Sequence, residues 1–90
     1  MWYVYIVKCC DQTFYTGITK DLKRRIKEHN NSKLGAKYTM GRRPVKLVYA
    51  QEVKNKSEAA KEEYRIRNLS KKEKYEIIDD FQARKSQKNV

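Results

Sequence analysis

The sequence predicts an α+β domain, a three-stranded antiparallel sheet flanked by about three helices. The chain of 90 residues suits one domain and leaves no room for a second core. The segment Trp2 to Cys10 is almost wholly apolar and rich in β-formers, as expected of a strand covered on both faces. Further on, apolar residues recur at helical rather than alternating spacing.

Taken in order, Asp11-Gln12 turns the chain and Thr13 to Thr19 is β-prone again, so the opening pair is an antiparallel hairpin with Trp2 to Cys10 as the central strand. Thr19 is the expected cap of a first helix, in which Leu22 and Ile26 lie one turn apart and which ends near Asn30-Asn31-Ser32. Residues 32 to 44 mix Gly35, Gly41 and Pro44 with Lys and Arg and predict a basic loop. Val45 to Val53 predicts the third strand, with Pro44 at its start. A second helix, capped by Asn55 or Ser57, places Ala59, Ala60, Tyr64 and Ile66 on one face. Ser70-Lys71-Lys72-Glu73 is a capping box that opens a third helix carrying Tyr75, Ile77, Ile78 and Phe81. The domain is expected over residues 1–81, with 82–90 a polar, disordered tail.

Composition bounds function. The formal net charge is +11, and from Lys20 to Lys46 ten basic residues face only Asp21 and Glu28. Such a field attracts polyanions, so nucleic acid is the leading partner, with Lys20, Lys23, Arg24, Lys33, Lys37, Arg42 and Arg43 as candidate contacts. Solvated charge serving solubility is the plainer alternative. No apolar run approaches the roughly 20 residues of a bilayer span, so no membrane partner is expected. The N-terminus lacks a basic leader and cleavage site, which places the protein in the cytoplasm. Cys9 and Cys10 are adjacent in a strand, point to opposite faces and suit neither a disulfide nor a shared metal.

Three constellations bear on chemistry. Glu63 falls near the middle of the apolar face of the second helix, where a carboxylate needs a partner: Arg67 at i+4, a tyrosine hydroxyl, or a metal. Arg25 and His29 are spaced i, i+4 and share a face that would suit one phosphate, or are simply further residues of a basic helix. Tyr3, Tyr5 and Tyr15 lie in the hairpin as packing residues with polar tips.

Together these residues resemble the GIY-YIG nuclease superfamily, in particular its small stand-alone bacterial members. Tyr3-Val4-Tyr5 stands at the first motif and Tyr15-Thr16-Gly17 at the second; Arg25 and His29 match the helix-borne arginine and His or Tyr. Ser57 to Glu63 matches the stretch ending in the metal-binding glutamate, and Gly35 to Thr39 the basic loop before Arg42-Arg43-Pro44, so the likeness spans about residues 2 to 78. Tyr3 replaces the first motif's glycine, Thr16 the second's middle residue, and Ile18 a lysine that some members use, leaving Lys20 as a substitute; Asn68 is the candidate for a late polar residue.

The resemblance implies structure-selective hydrolysis of phosphodiester bonds, in DNA more than RNA, as in repair or recombination, with a partner protein supplying sequence selectivity. One weakly held Mg²⁺ or Mn²⁺ would sit on Glu63 and Arg25 would clamp the phosphate. Tyr5 or Tyr15, its hydroxyl depressed by nearby cations, would take the proton from water, and His29, titrating near neutrality, would pass it on or hold the phosphate. The alternatives are a non-catalytic DNA- or RNA-binding module with a degenerate site and a basic protein docking on an acidic protein surface or the ribosome.

Overall fold

The computed structural model describes residues 1–31 and 34–88, with side chains through Lys85. Strand β1 (Trp2–Lys8) is central in a three-stranded antiparallel sheet, between β2 (Phe14–Thr19) and β3 (Lys46–Val53). Its predicted two-sided burial is observed, with Val4, Tyr5, Ile6 and Val7 all buried. Because successive strand residues point to opposite faces, Val4 and Ile6 join Ala59, Ile66 and Ile78 in one core, and Tyr5, Val7 and Cys9 join Leu22 and Ile26 in another. The first face is covered by α3 (Lys56–Arg67) and α4 (Lys71–Lys88), the second by α1 (Leu22–Asn31).

The register on β1 shifts between Ile6, opposite Tyr49, and Val7, opposite Leu47. This β-bulge lets the sequence neighbours Val48 and Tyr49 both enter the first core. The side chain of Gln82 in α4 donates to the Val48 carbonyl, which sits on the outer edge of the sheet. Asn30, at the end of α1, supplies both halves of a strand-like pairing: its amide donates to the Val45 carbonyl at 3.1 Å and accepts from the Val45 N–H at 2.7 Å. Helix α1 is thereby fixed to the start of β3.

Several local expectations are corrected. Asp21 rather than Thr19 caps α1, accepting from the Arg24 N–H at 3.0 Å, while the Thr19 hydroxyl turns the chain by accepting from the Asp21 N–H. Within the predicted basic loop, Lys37–Met40 forms a single helical turn, α2, anchored by buried Thr39, so the sheet carries four helices. Asn55, one of the two expected caps, closes the start of α3 through the Glu58 N–H. Ala60 and Tyr64 of the predicted apolar stripe are exposed, and the buried line of α3 runs through Ala59 and Ile66. Ser70 and Glu73 form the reciprocal capping box. Helix α4 then continues to Lys88, past the Phe81 boundary expected for it, because 82–88 holds no Gly or Pro and Arg84 pairs with Asp80 one turn back. Residues 89 and 90 of the expected tail lie outside the described residues.

Candidate active site

Tyr5 is paired in register with Gly17 on β2. A Cβ at position 17 would lie 2.6 Å from the Tyr5 hydroxyl and 2.8 Å from Cζ, so only glycine lets the ring lie across the neighbouring strand. Lying there, the Tyr5 hydroxyl meets His29 Nε2 at 2.8 Å. His29 is wholly buried, and its Nδ1 lies 2.9 Å from the Thr39 hydroxyl. That hydroxyl donates to the Ala36 carbonyl at 2.9 Å, so it accepts from Nδ1–H and leaves Nε2 to accept the Tyr5 proton. The Ala36 N–H, 3.4 Å from Nδ1, would suit the opposite tautomer, but it is the longest contact of the group and yields to the shorter pair. The result is a directed chain, Tyr5 O–H to His29 to Thr39 to Ala36. A small residue is required at Gly35 as well, since a Cβ there would lie 2.7 Å from the Glu28 carbonyl.

Arg25, half-buried beside this chain, spends Nη1 on the Glu28 carboxylate at 2.8 Å and the Leu34 carbonyl at 2.7 Å. Burial pushes the Tyr5 hydroxyl up to about 12, outweighing the lowering influence of Arg25. Burial, reinforced by the Arg25 charge, pushes His29 down to about 4. The expectations of a depressed Tyr5 and a histidine titrating near neutrality are therefore corrected: both groups are held neutral, because a water-excluded pocket penalises charge on either.

Tyr15 lies beside this chain, its ring centroid 5.4 Å from that of His29, and it opens onto a groove along β2, the outer strand. Glu63 reaches the same groove from the other side of the sheet, in line with buried Ala59 and Ile66 at i−4 and i+3. The carboxylate is 24% exposed and stands 4.0 Å from Arg67 Nη1, a loose pairing rather than a formed hydrogen bond. The anticipated Arg67 partnership is thus present but long, and it leaves the carboxylate open to the groove. Among the described residues no group of three or more His, Cys, Asp or Glu could hold a metal. A lone carboxylate beside tyrosine hydroxyls and the cations Arg67 and Lys74 suits a hard divalent ion that is held weakly and keeps most of its water, and does not suit zinc.

A family model for the GIY-YIG catalytic domain matches residues 1–76. The chain belongs to the GIY-YIG family. UPF0213 proteins of Clostridium perfringens and Staphylococcus saprophyticus are 54% and 51% identical to it, over 84% and 87% of this chain and 81% and 94% of theirs. A UPF0213 protein of Desulfotalea psychrophila is 53% identical over 86% of this chain and 70% of its own. Among solved structures, the solution NMR structure of a UPF0213 protein from Bacillus halodurans is 45% identical, covers 88% of this chain and 84% of its own, and superposes with a TM-score of 0.56. A solution NMR structure of a protein from E. faecalis, 37% identical, covers 90% and 85% with a TM-score of 0.60.

The remaining candidates of this GIY-YIG domain divide by what holds them. Lys23, Arg24 and Lys37 are exposed, Arg24 lying 3.6 Å from Glu28. Lys20 sits over the Trp2 ring at 5.5 Å. Arg42 is bound to Asp11 at 3.0 Å and to the Tyr38 carbonyl, while Arg43 donates to the Glu28 and His29 carbonyls, so both are built into the fold. Lys33 lies outside the described residues. Ile18 packs against the first core, and Asn68 closes α3 by donating to the Tyr64 carbonyl. Thr39, which completes the His29 chain, was not singled out from the sequence; its place in the Gly35 to Thr39 segment was the available signal. Among the described residues no helix is long and apolar enough to cross a membrane.

Proposed function

We propose that this GIY-YIG domain hydrolyses phosphodiester bonds in DNA, selecting strand geometry rather than base sequence, with one weakly bound Mg²⁺ or Mn²⁺. The observation that carries this reading is that Tyr15 joins two separately built parts: its ring packs against His29 of the neutral Tyr5–His29 chain beside Arg25, and it lines one groove with the open Glu63 carboxylate. Glu63 is the residue that would hold the ion, which when bound supplies positive charge for the departing oxygen.

The chain's own groups account for the rest. Arg25 neutralises charge that builds on the non-bridging phosphoryl oxygens as a water oxygen bonds to phosphorus and the bond to the leaving oxygen breaks. Tyr15, which opens onto the groove, accepts the attacking water's proton at its hydroxyl oxygen while passing its own to solvent. Tyr5 directs its proton into His29 and accepts from Arg25, and so holds the guanidinium that faces the phosphate. Arg67 and Lys74, on the same groove, supply phosphate contacts that carry no sequence information.

The test is cleavage of end-labelled branched, nicked and single-stranded DNA in Mg²⁺ or Mn²⁺, with binding measured in parallel. Glu63→Ala and Arg25→Ala are each expected to lower cleavage by about 100-fold or more while the protein stays folded. A wild-type protein that binds DNA but never cuts, with Glu63→Ala changing only stability, would make the chain a binding module.

A further inference from the structure

Residues directly opposite one another on neighbouring strands share a face of the sheet. One such row reads Phe14, Lys8, Lys46: Lys8 of the central strand faces Phe14 on β2 and Lys46 on β3. Lys8 continues the line of Val4 and Ile6 along β1, so the row lies on the face that α3 and α4 cover. A half-buried lysine on the core face of a central strand is unusual. A second lysine opposite it sets like charges on Cβ atoms about 4.5–5.5 Å apart, an arrangement that destabilises a sheet. Among the described residues neither ammonium takes part in an ion pair or a hydrogen bond, and Asp79, a carboxylate lining the same pocket, pairs with neither. A local rule broken without compensation inside the fold marks a functional position.

Lys8 and Lys46 open onto a pocket of about 460 Å³ between the end of the sheet and α4, which shares only Phe14 with the groove that holds Glu63. That volume falls in the range of about 300–1,000 Å³ typical of small-molecule clefts. Its apolar wall is Phe14 and Tyr75, packed edge to face with ring centroids 5.2 Å apart and with Tyr75 36% exposed. Each feature selects part of a ligand. Two ammonium groups side by side match a dianion, and a phosphate monoester carries about −1.5 to −2 charge at pH 7. The Tyr75 ring suits a flat aromatic body. The Asp79 carboxylate, which only accepts, suits sugar hydroxyls or an exocyclic amine.

We infer that this pocket binds a nucleoside monophosphate, with the phosphate between Lys8 and Lys46 and the base against Tyr75. The site is separate from the proposed hydrolytic centre and holds whether or not the domain cleaves DNA. The test measures AMP binding by calorimetry without added metal, together with alkylation of Cys10, an exposed thiol that lines the same pocket while Cys9 is buried. AMP is expected to bind and to slow Cys10 alkylation, with adenosine and inorganic phosphate each about 10-fold weaker or more. Lys8→Met and Lys46→Thr should each lose about 10- to 100-fold of the AMP affinity. Lys46→Thr should keep or gain stability in urea, because it removes the repulsion and sets a β-branched residue in a strand. Lys27→Gln, an equal loss of charge at an exposed position of α1, should leave AMP affinity unchanged. Equal weakening in Lys27→Gln reports a general attraction of anions to a basic protein and overturns the site, as does AMP that fails to bind or leaves Cys10 alkylation unchanged. Inorganic phosphate that binds as tightly as AMP overturns the nucleotide as ligand. A Lys46→Thr protein that loses stability but keeps AMP affinity overturns the site too, since the pair then serves the fold.

Discussion

Protonating His29 should destabilise this domain. The ring is wholly buried, accepts from Tyr5 at 2.8 Å, and has its pKa pushed down to about 4 by burial and by Arg25. In the unfolded chain the same histidine titrates near 6.5. The folded pKa is the lower, so the unfolded state binds more protons between the two values, and stability is complete above about pH 6.5 and lost as pH falls towards 4. Applying the linkage relation to those two values gives a loss of about 2.5 kcal/mol between about pH 7 and pH 4.5 from this one group. The assay is urea denaturation at both pH values for the wild type and His29→Gln, which keeps a polar group but cannot titrate. Carboxylates titrate in both proteins, so the difference between their losses isolates His29, and at a slope of about 1–2 kcal/mol per molar it appears as a midpoint shift of about 1.2–2.5 M urea. In parallel, the His29 ring proton resonance should titrate with a midpoint about 4 in the folded protein. A midpoint near 6.5, or equal losses in the two proteins, would refute the claim that the pocket holds this ring neutral.

Two further substitutions address how the site is built. Gly17→Ala places a methyl group 2.6 Å from the Tyr5 hydroxyl; the ring must shift, at a cost of about 1–3 kcal/mol, and the His29 titration should move back towards 6.5, read by the same resonance. Asn30→Ala removes both bonds to the Val45 backbone; about 2 kcal/mol and roughly 10 °C in Tm are expected to be lost, measured by thermal denaturation.

Much of this arrangement is legible in the sequence because it rests on local signals. The unbroken β-prone run of Trp2 to Cys10 marks a strand buried on both faces, and Ser70 with Glu73 marks a helix start; both are observed. Glu63 stands out as a carboxylate in line with Ala59 and Ile66, and the structure opens it to the groove. What the sequence hides is set by contacts distant along the chain. The protonation of His29 depends on Thr39 and on the close approach to Glu28 and His29 that Gly35 allows, both in a segment whose composition indicates only a loop. Arg42 and Arg43 are indistinguishable in composition from solvated charge, yet Asp11, Glu28 and His29 claim them. The docking of α4 on β3, where Gln82 reaches the Val48 carbonyl, is hidden in the same way.

The two parts of the site are carried by opposite faces of one sheet and come together at its β2 edge through Tyr15. This has a consequence in time as the chain is made. Tyr5, Tyr15, Arg25 and His29 all precede Glu63, and the layer that carries Glu63 is completed by α4, the last element. A growing chain can therefore display its basic helix and hairpin while Glu63 is still inside the ribosome. The basic stretch emerges first and Glu63 later, so under the proposed hydrolysis a half-synthesised domain lacks the residue that would hold the ion.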